Sequence, residues 1–193
     1  MGKTAWIIIV VLIVAAFMSI SKYNTMVGME ESVSEQWANV ETQYQRRADL
    51  IPNLVSTVKG YAAHEKDVFE SVTKARASAT SVKIDASNLT AENIQQFQAA
   101  QGSLNSALGR LLAVAERYPD LKANQNFLEL QAQLEGTENR IATERRRFNE
   151  QVKIFNTYIR KFPNNMVANM FGFEKQVTFE ADEGAEKAPE VTF

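Results

Sequence analysis

The sequence predicts an all-α protein with a transmembrane helix at its amino end, an elongated antiparallel bundle of long helices, and an extended carboxyl-terminal tail. Two observations predict this class. The chain opens with an unbroken apolar run, and apolar residues then recur every three or four positions over most of its length. No strand series competes with this pattern. A length of 193 residues suits an anchor (1–22), one bundle domain (23–163) and a tail (164–193).

Composition excludes several classes of function. The 21 Lys and Arg residues against 23 Asp and Glu give a net charge of −2, so the chain lacks the positive field that drives nucleic-acid binding. The absence of cysteine and the single histidine exclude disulfides, thiol nucleophiles, iron–sulfur clusters and the usual zinc sites. Carboxylate-based metal chemistry is the remaining possibility. We expect no cofactor, and the sequence identifies no small-molecule substrate.

The first predicted element is the membrane anchor. Residues 5–18 are uninterrupted apolar, and a basic and aromatic edge follows them. Aromatic and basic residues at both ends are typical of the bilayer interface. A cleaved signal peptide is the alternative, because the length lies between a signal core and a full span. The lack of a clear cleavage site favours a retained span, and its charges do not set its orientation. The anchor residues are Trp6, Ile9, Leu12, Phe17, Lys22 and Tyr23.

The second element is a helix with one buried stripe, which runs from Val27 through Trp37. Pro52 disfavours helical geometry at the residue before it and cannot donate to the preceding turn. We therefore expect a kink or a short turn there, with Asp49 capping a new helix that continues to about Val82.

Two further long helices follow a polar loop. Thr90 is predicted to cap the third helix, which ends at Tyr118-Pro119. Within it, Gly102 and Gly109 are interpreted as permitting close helix packing. The fourth helix, from near residue 122 to residue 162, has an apolar period of 3.5 and needs an antiparallel partner of similar length.

The chain changes character after Pro163. Residues 166–171 are predicted to form one short helical turn that ends at Gly172. The acidic composition beyond it predicts a mobile tail. The alternative is a docked tail, with Phe173, Phe179 and Phe193 as its contacts.

The densest chemistry lies in residues 44–65, where charged side chains recur at helical spacing. One interpretation is a carboxylate-metal or hydrolytic centre built from Asp49, His64, Glu65 and Glu138. The spacing argues against it, because neither the paired-histidine zinc helix nor the Glu-x-x-His pattern of di-metal bundles is present. We favour a histidine that is hydrogen-bonded within the bundle.

A structural role is the other interpretation of these charges. Arg46 or Arg47 is expected to pair with the charged cluster that contains Glu138 and Glu144, and so to fix the register of two helices. We prefer this interpretation to one in which the charges form only a solvated helix face.

Several segments resemble the LemA family. They are RRADLIPNLV at 46–55, VKGY at 58–61 with His64-Glu65, ERYPDLKAN at 116–124, ENRIA at 138–142, and the late asparagines Asn149 and Asn156. The resemblance covers nearly the whole chain in order. It implies a bacterial membrane protein with one amino-terminal span, a cytoplasmic bundle of long helices, and no established enzymatic activity.

From the residues and the resemblance together we expect a non-catalytic, membrane-anchored scaffold in the bacterial inner membrane. Its expected partners are the lipid bilayer and either another protein or a second copy. The alternatives are the carboxylate-metal or hydrolytic enzyme and an oligomer that shapes the membrane. The candidate structural or interaction residues are Trp37, Arg46, Arg47, Asp49, Pro52, Asn53, Lys59, His64, Glu65, Tyr118, Pro119, Asp120, Glu138, Arg140, Asn149 and Asn156.

Overall fold

The computed structural model describes residues 2–86 and 89–180, except for the side chain of Ala5. Over these ranges the chain forms six helices and no strand, which confirms the predicted all-α fold. The helices are α1 (Lys3–Tyr61), α2 (Lys66–Ser81), α3 (Ala91–Ala115), α4 (Pro119–Lys122), α5 (Gln125–Arg160) and α6 (Asn164–Phe171).

Helices α1 and α5 form the long antiparallel pair of the bundle. Gln36 on α1 donates to Glu144 on α5 at 2.7 Å. Nearer the end of α1, Arg47 donates to Glu138 at 2.8 Å. Residue numbers therefore decrease along α5 as they increase along α1, so the two helices are antiparallel. At about 1.5 Å per residue, the 59 residues of α1 span about 90 Å and the 36 residues of α5 about 54 Å. The part of α1 that α5 does not cover includes the apolar amino-terminal segment.

Helices α2 and α3 form a hairpin on the half of the α1–α5 pair farther from the amino end. Arg110 donates to Ser71 at 2.8 Å, and Gln101 donates to the carbonyl of Ala79 at 3.3 Å. The buried apolar side chains fall into two clusters along the rod. The cluster nearer the amino end centres on aromatic residues, with Trp37, Phe97, Phe148 and Phe155 as representative members. The far cluster is mainly aliphatic and includes Ile51, Leu54, Leu104 and Leu111.

The expected short turn at Pro52 is wrong, because α1 continues through it to Tyr61. Proline removes the N–H that would donate to the carbonyl of Ala48. The Nε of Arg76, on α2, donates to that carbonyl at 2.7 Å instead. A side chain from a neighbouring helix thus replaces the missing backbone hydrogen bond. Asp49 caps no helix: it lies inside α1 and accepts from Gln45 at 2.8 Å.

The chain turns at residues 62–65 instead, so a single helix from Pro52 to Val82 is also wrong. Two other boundaries were predicted well. Thr90 caps α3 and accepts from the backbone N–H of Asn93 at 3.2 Å. Gly172 ends α6 in the left-handed conformation, at φ 77°. The predicted fourth helix corresponds to α5, which begins at Gln125 after the separate single turn of α4, and Asn124 caps it by accepting from the N–H of Phe127 at 3.0 Å.

The interpretation of Gly102 and Gly109 as close-packing positions is wrong. A Cβ added at either would meet no described atom within 4 Å, apart from the local helix backbone. Both glycines therefore face open space on α3.

The apolar amino-terminal segment is the exposed beginning of α1. It has the length and composition of a membrane span, and none of its 18-residue apolar window is buried by the described parts of the chain. The helix continues from this segment into the bundle without a break, across residue 22. At the junction, the ammonium of Lys22 lies 5.7 Å from the ring centroid of Tyr158, and the ring of Tyr23 lies 4.8 Å from that of Phe171.

Candidate functional site

The first part of the tail is docked on the bundle, so mobility is the wrong prediction for residues 173–180. Asn156 on α5 contacts Gln176, and Asn149 contacts Phe179. Seven helical residues rise about 10 Å, and three residues of extended chain span about the same distance. The matched spacing shows that the tail runs extended and antiparallel along α5.

Two asparagine side chains hold the tail by its backbone. The amide of Asn149 donates to the carbonyl of Phe179 at 3.0 Å and accepts from its N–H at 2.8 Å. The amide of Asn156 contacts Gln176 in the same way, at 2.8 and 2.9 Å. Each asparagine therefore forms the pair of hydrogen bonds that a neighbouring strand would form. We call these two residues the asparagine clamps.

The side chain of Phe179 fills an aromatic pocket and is only 5% exposed. Its ring stacks on Trp37, with centroids 5.6 Å apart and planes at 16°, and meets the edge of Phe148 at 5.4 Å. The guanidinium of Arg145 lies over the ring, 4.9 Å from its centroid. The carbonyl of Glu180 accepts from Arg145 at 3.0 Å. The aromatic pocket and the asparagine clamps together form what we call the tail groove.

The other predicted tail contacts differ in position. Phe173 is partly buried, with its ring 5.7 Å from Tyr23 and 6.4 Å from Phe155. Phe193 lies outside the described residues. Trp37, Asn149 and Asn156, which the sequence identified without specifying their contacts, all belong to the tail groove.

The structure brings together the two charged clusters that the sequence singled out. Arg47 is buried, at 2% exposed, and pairs with Glu138 through Nη1 at 2.8 Å. Its Nη2 donates to Gln101 of α3, and its guanidinium carbon lies 5.0 Å from the ring centroid of Tyr44. A buried charge is strongly destabilising without its partner, so this arrangement supports the register role. That role itself stays a prediction.

A second polar group lies at the end of the rod farthest from the apolar segment. Glu65 accepts from Arg117 at 2.9 Å and from the hydroxyl of Tyr118 at 3.4 Å. Asn124 donates to the hydroxyl of Tyr61 at 2.9 Å. These contacts join the α1–α2 turn to the segment around α4.

The residues of the alternative catalytic centre do not come together. His64 is exposed in the α1–α2 turn rather than bonded within the bundle. Asp49 lies 12 residues before the end of α1, which places it about 18 Å along the helix axis from that end. Among the described residues there is no group of three His, Cys, Asp or Glu side chains placed to hold a metal ion.

The remaining candidate residues lie at the surface. Arg46 and Asp49 line an open groove beside the α2–α3 connection, together with Lys83 and Gln101. The candidates with exposed side chains are Arg46, Asp49, Pro52, Asn53, Lys59, His64, Pro119, Asp120 and Arg140.

Two carboxyl groups on α1 have perturbed pKa values. Burial raises the pKa of Glu41, against the opposing effect of the charge of Lys83. Burial and then the adjacent charge of Glu31 raise the pKa of Glu30. Burial is the main cause in both cases, so the shifts reflect packing rather than two carboxyls that share a proton.

Sequence reasoning missed the roles of Gln101 and Arg76. Gln101 occupies a position on the apolar stripe of α3, four residues after Phe97 and three before Leu104. A polar residue in a buried stripe indicates a polar partner, which is Arg47 here. No local pattern indicated that Arg76 contacts the carbonyl of Ala48.

Comparison with known proteins agrees with the resemblance. The LemA family model matches residues 36–193. Magnetosome protein MamQ 2 of Paramagnetospirillum magneticum is 29% identical over 91% of this chain and 72% of its own length. Magnetosome protein MamQ of Magnetospirillum gryphiswaldense is 29% identical over 94% of this chain and 74% of its own.

Protein LemA of Metamycoplasma hominis is more distant, at 22% identity over 86% of this chain and 73% of its own length. The family match covers most of the chain and includes most of the bundle and the tail groove. The chain therefore belongs to the LemA family.

Proposed function

We propose that the protein is a non-catalytic, membrane-anchored scaffold that binds another membrane-associated protein or a second copy of itself. The continuity of α1 carries this proposal. One helix extends from an exposed apolar segment through the whole length of the bundle. Such a helix would hold the surfaces of the bundle at fixed heights above a bilayer.

A second apolar surface supports contact with lipid. Phe162, Met166, Met170 and Phe171 are 80, 61, 72 and 51% exposed, on and just before α6. Phe171 touches Tyr23, which directly follows the apolar segment of α1. A bilayer that surrounds this segment would meet the exposed face of α6 at its interface, where partly inserted amphipathic helices bind. We call this surface the α6 face.

The α6 face also favours one second candidate function, membrane shaping by an oligomer. A helix inserted into one leaflet beside a span occupies area in that leaflet alone, and such helices respond to curvature. To test this candidate, the curvature of vesicles that contain the full-length chain is compared with that of vesicles that contain the Met166→Ser/Met170→Ser variant. Unchanged curvature in the variant would count against it.

We also propose that the protein lies in the bacterial inner membrane with the bundle in the cytoplasm, as the family resemblance implies. A residue-specific label tests the orientation. The chain has no cysteine, so a single cysteine at exposed Leu128 is the only thiol available. A membrane-impermeant maleimide should label it only after the cells are opened. Labelling in intact cells would place the bundle outside.

Photo-crosslinking in intact membranes tests the scaffold proposal. Crosslinkers at Leu128 and Ile154, each 44% exposed, sample two positions on the bundle surface. We expect one or a few discrete protein adducts that disappear when residues 1–22 are removed. A matched crosslinker at exposed Trp6 should react with lipid instead. Absence of adducts at both bundle positions would argue against the scaffold.

The enzyme alternative has its own test. Metal analysis of the purified full-length chain and of His64→Ala should give the same result, with no bound metal in either. Stoichiometric metal that is lost in His64→Ala would support the enzyme and contradict the proposal.

A further inference from the structure

The three residues that fill the tail groove occur twice in the chain. Val177-Thr178-Phe179 is docked, and Val191-Thr192-Phe193 repeats it fourteen residues later. The preceding residues, Gln176 and Glu190, are also similar in size and shape. Residues 181–193 lie outside the described part of the structure, so the repeat is an observation from the sequence alone.

The contacts in the groove show what a docked segment must provide. The asparagine clamps bind only the backbone N–H and C=O at positions 176 and 179. The aromatic pocket binds the ring at position 179. Val177 packs against the same core cluster, and Thr178 is the remaining residue of the repeat. A change from Gln to Glu at the first position leaves every backbone contact possible.

We propose that Val191-Thr192-Phe193 of one copy occupies the tail groove of a second copy. This inference rests on the proposed scaffold function, because it specifies how copies bind one another. Val191-Thr192-Phe193 supplies the same three side chains and the same backbone groups as Val177-Thr178-Phe179, the segment that it would displace. The contacts with the aromatic pocket and the asparagine clamps are therefore equivalent in the two states, whereas the Glu180 carbonyl that accepts from Arg145 lies outside the repeat.

The length of the connection determines which segment fills which groove. Gln176 follows the end of α6 by only a few residues, so its high effective concentration favours docking within its own chain. Val191-Thr192-Phe193 is then not needed to fill the groove of its own chain. Copies anchored in one membrane are concentrated in two dimensions, which favours entry of the spare segment into a neighbour's groove when that groove opens.

A mixing experiment with full-length chains in detergent tests the proposal directly. The receptor is Phe179→Ala/Phe193→Ala, whose groove lacks a competent segment from its own chain. The donor is the wild-type chain, whose Phe193 repeat is spare. Fluorescence energy transfer between labelled donor and receptor should show saturable binding. The Phe193→Ala donor, which is otherwise identical, should bind at least tenfold more weakly.

A labelled peptide of residues 187–193 is the second probe. It should bind the same receptor, and Asn149→Ala in the receptor should weaken that binding at least tenfold, because one asparagine clamp is lost. The peptide with alanine at position 193 should not compete. Circular dichroism of each receptor checks that the bundle remains helical.

If the double variant is not folded, Gln176→Pro/Phe193→Ala replaces it as receptor. Proline removes the N–H that donates to Asn156, which weakens docking of the receptor's own tail and makes its groove accessible to the donor. Equal binding of the wild-type and Phe193→Ala donors, or no binding of wild-type donor to a folded receptor, would overturn the inference. The photo-crosslinks at Leu128 and Ile154 report the scaffold function separately, since their persistence in Phe193→Ala would leave that function standing.

Discussion

Removing the side chain that bonds to the carbonyl of Ala48 should destabilise the bundle measurably. Arg76→Met keeps most of the alkyl length on α2 but removes the Nε that donates to this carbonyl at 2.7 Å. A buried carbonyl left without a donor costs about 1–3 kcal/mol. Arg76 is only partly buried, so water can replace part of the lost bond. We therefore expect a loss of about 1–2 kcal/mol in the free energy of unfolding.

A double-mutant cycle with Pro52 separates this hydrogen bond from general packing. Pro52→Ala restores an N–H that can donate to the carbonyl of Ala48, so Arg76→Met should cost less in that background. We expect a coupling energy of about 1 kcal/mol, within the range for residues that share a partner. Lys74→Met, at an exposed position on the same helix, is the matched control and should change stability by less than about 0.5 kcal/mol.

Urea unfolding in detergent, followed by the fluorescence of Trp37, measures all four members of the cycle. Trp37 is fully buried, whereas Trp6 lies in the apolar segment, so the cycle is run in a Trp6→Phe background. An equal cost of Arg76→Met with proline or alanine at position 52 would refute the reasoning. In that case the stabilisation by Arg76 would come from packing rather than from the freed carbonyl.

Three further predictions concern other parts of the chain. Gly102→Ala and Gly109→Ala should each stabilise the protein by about 0.5–1 kcal/mol in urea unfolding, because alanine favours the helical conformation of α3 and its methyl group meets no described atom beyond the local helix. A loss of stability would show that these positions are packed. An environment-sensitive fluorophore on Met166→Cys should shift to the blue in lipid nanodiscs, while the same label on Leu128→Cys should not; equal spectra would place the α6 face away from lipid. Glu41→Gln should reduce the pH dependence of unfolding. Because the folded-state pKa of Glu41 lies above the ordinary value of 4.5, its ionisation destabilises the fold as the pH rises through the interval above 4.5, and glutamine removes that effect. Parallel stability–pH profiles for the two proteins would contradict this.

The apolar period predicted the helices because the buried stripes are local in sequence. Trp37, Leu104 and Phe148 all lie on such stripes and are all buried. The continuity of α1 was not predictable in this way. Proline weakens its own helix locally, and the compensating donor comes from Arg76, 28 residues away from Ala48 along the chain. A rule confined to neighbouring residues cannot include that bond.

The docked tail was predicted only as the alternative to a mobile one, for a related reason. Its composition is polar, and composition alone predicts mobility. The asparagine clamps bind the tail backbone, which is the same for every residue type except proline, so the tail sequence carries little sign of them. The spacing of Asn149 and Asn156 on one face of α5 was the available signal, and the family resemblance noted both without explaining them.

With the proposed anchor in a bilayer, the uninterrupted α1 would make the bundle sensitive to the thickness of the membrane. From Lys22 to Tyr61 the helix rises about 58 Å. A span in a bilayer thinner than its apolar length tilts, and transmembrane helices tilt by about 20° on average. Without a joint between the span and the bundle, such a tilt would swing the α1–α2 turn sideways by about 20 Å. A mismatch of a few ångströms within the lipid would thus become a lateral movement of the distal end, large enough to change which neighbours it can reach.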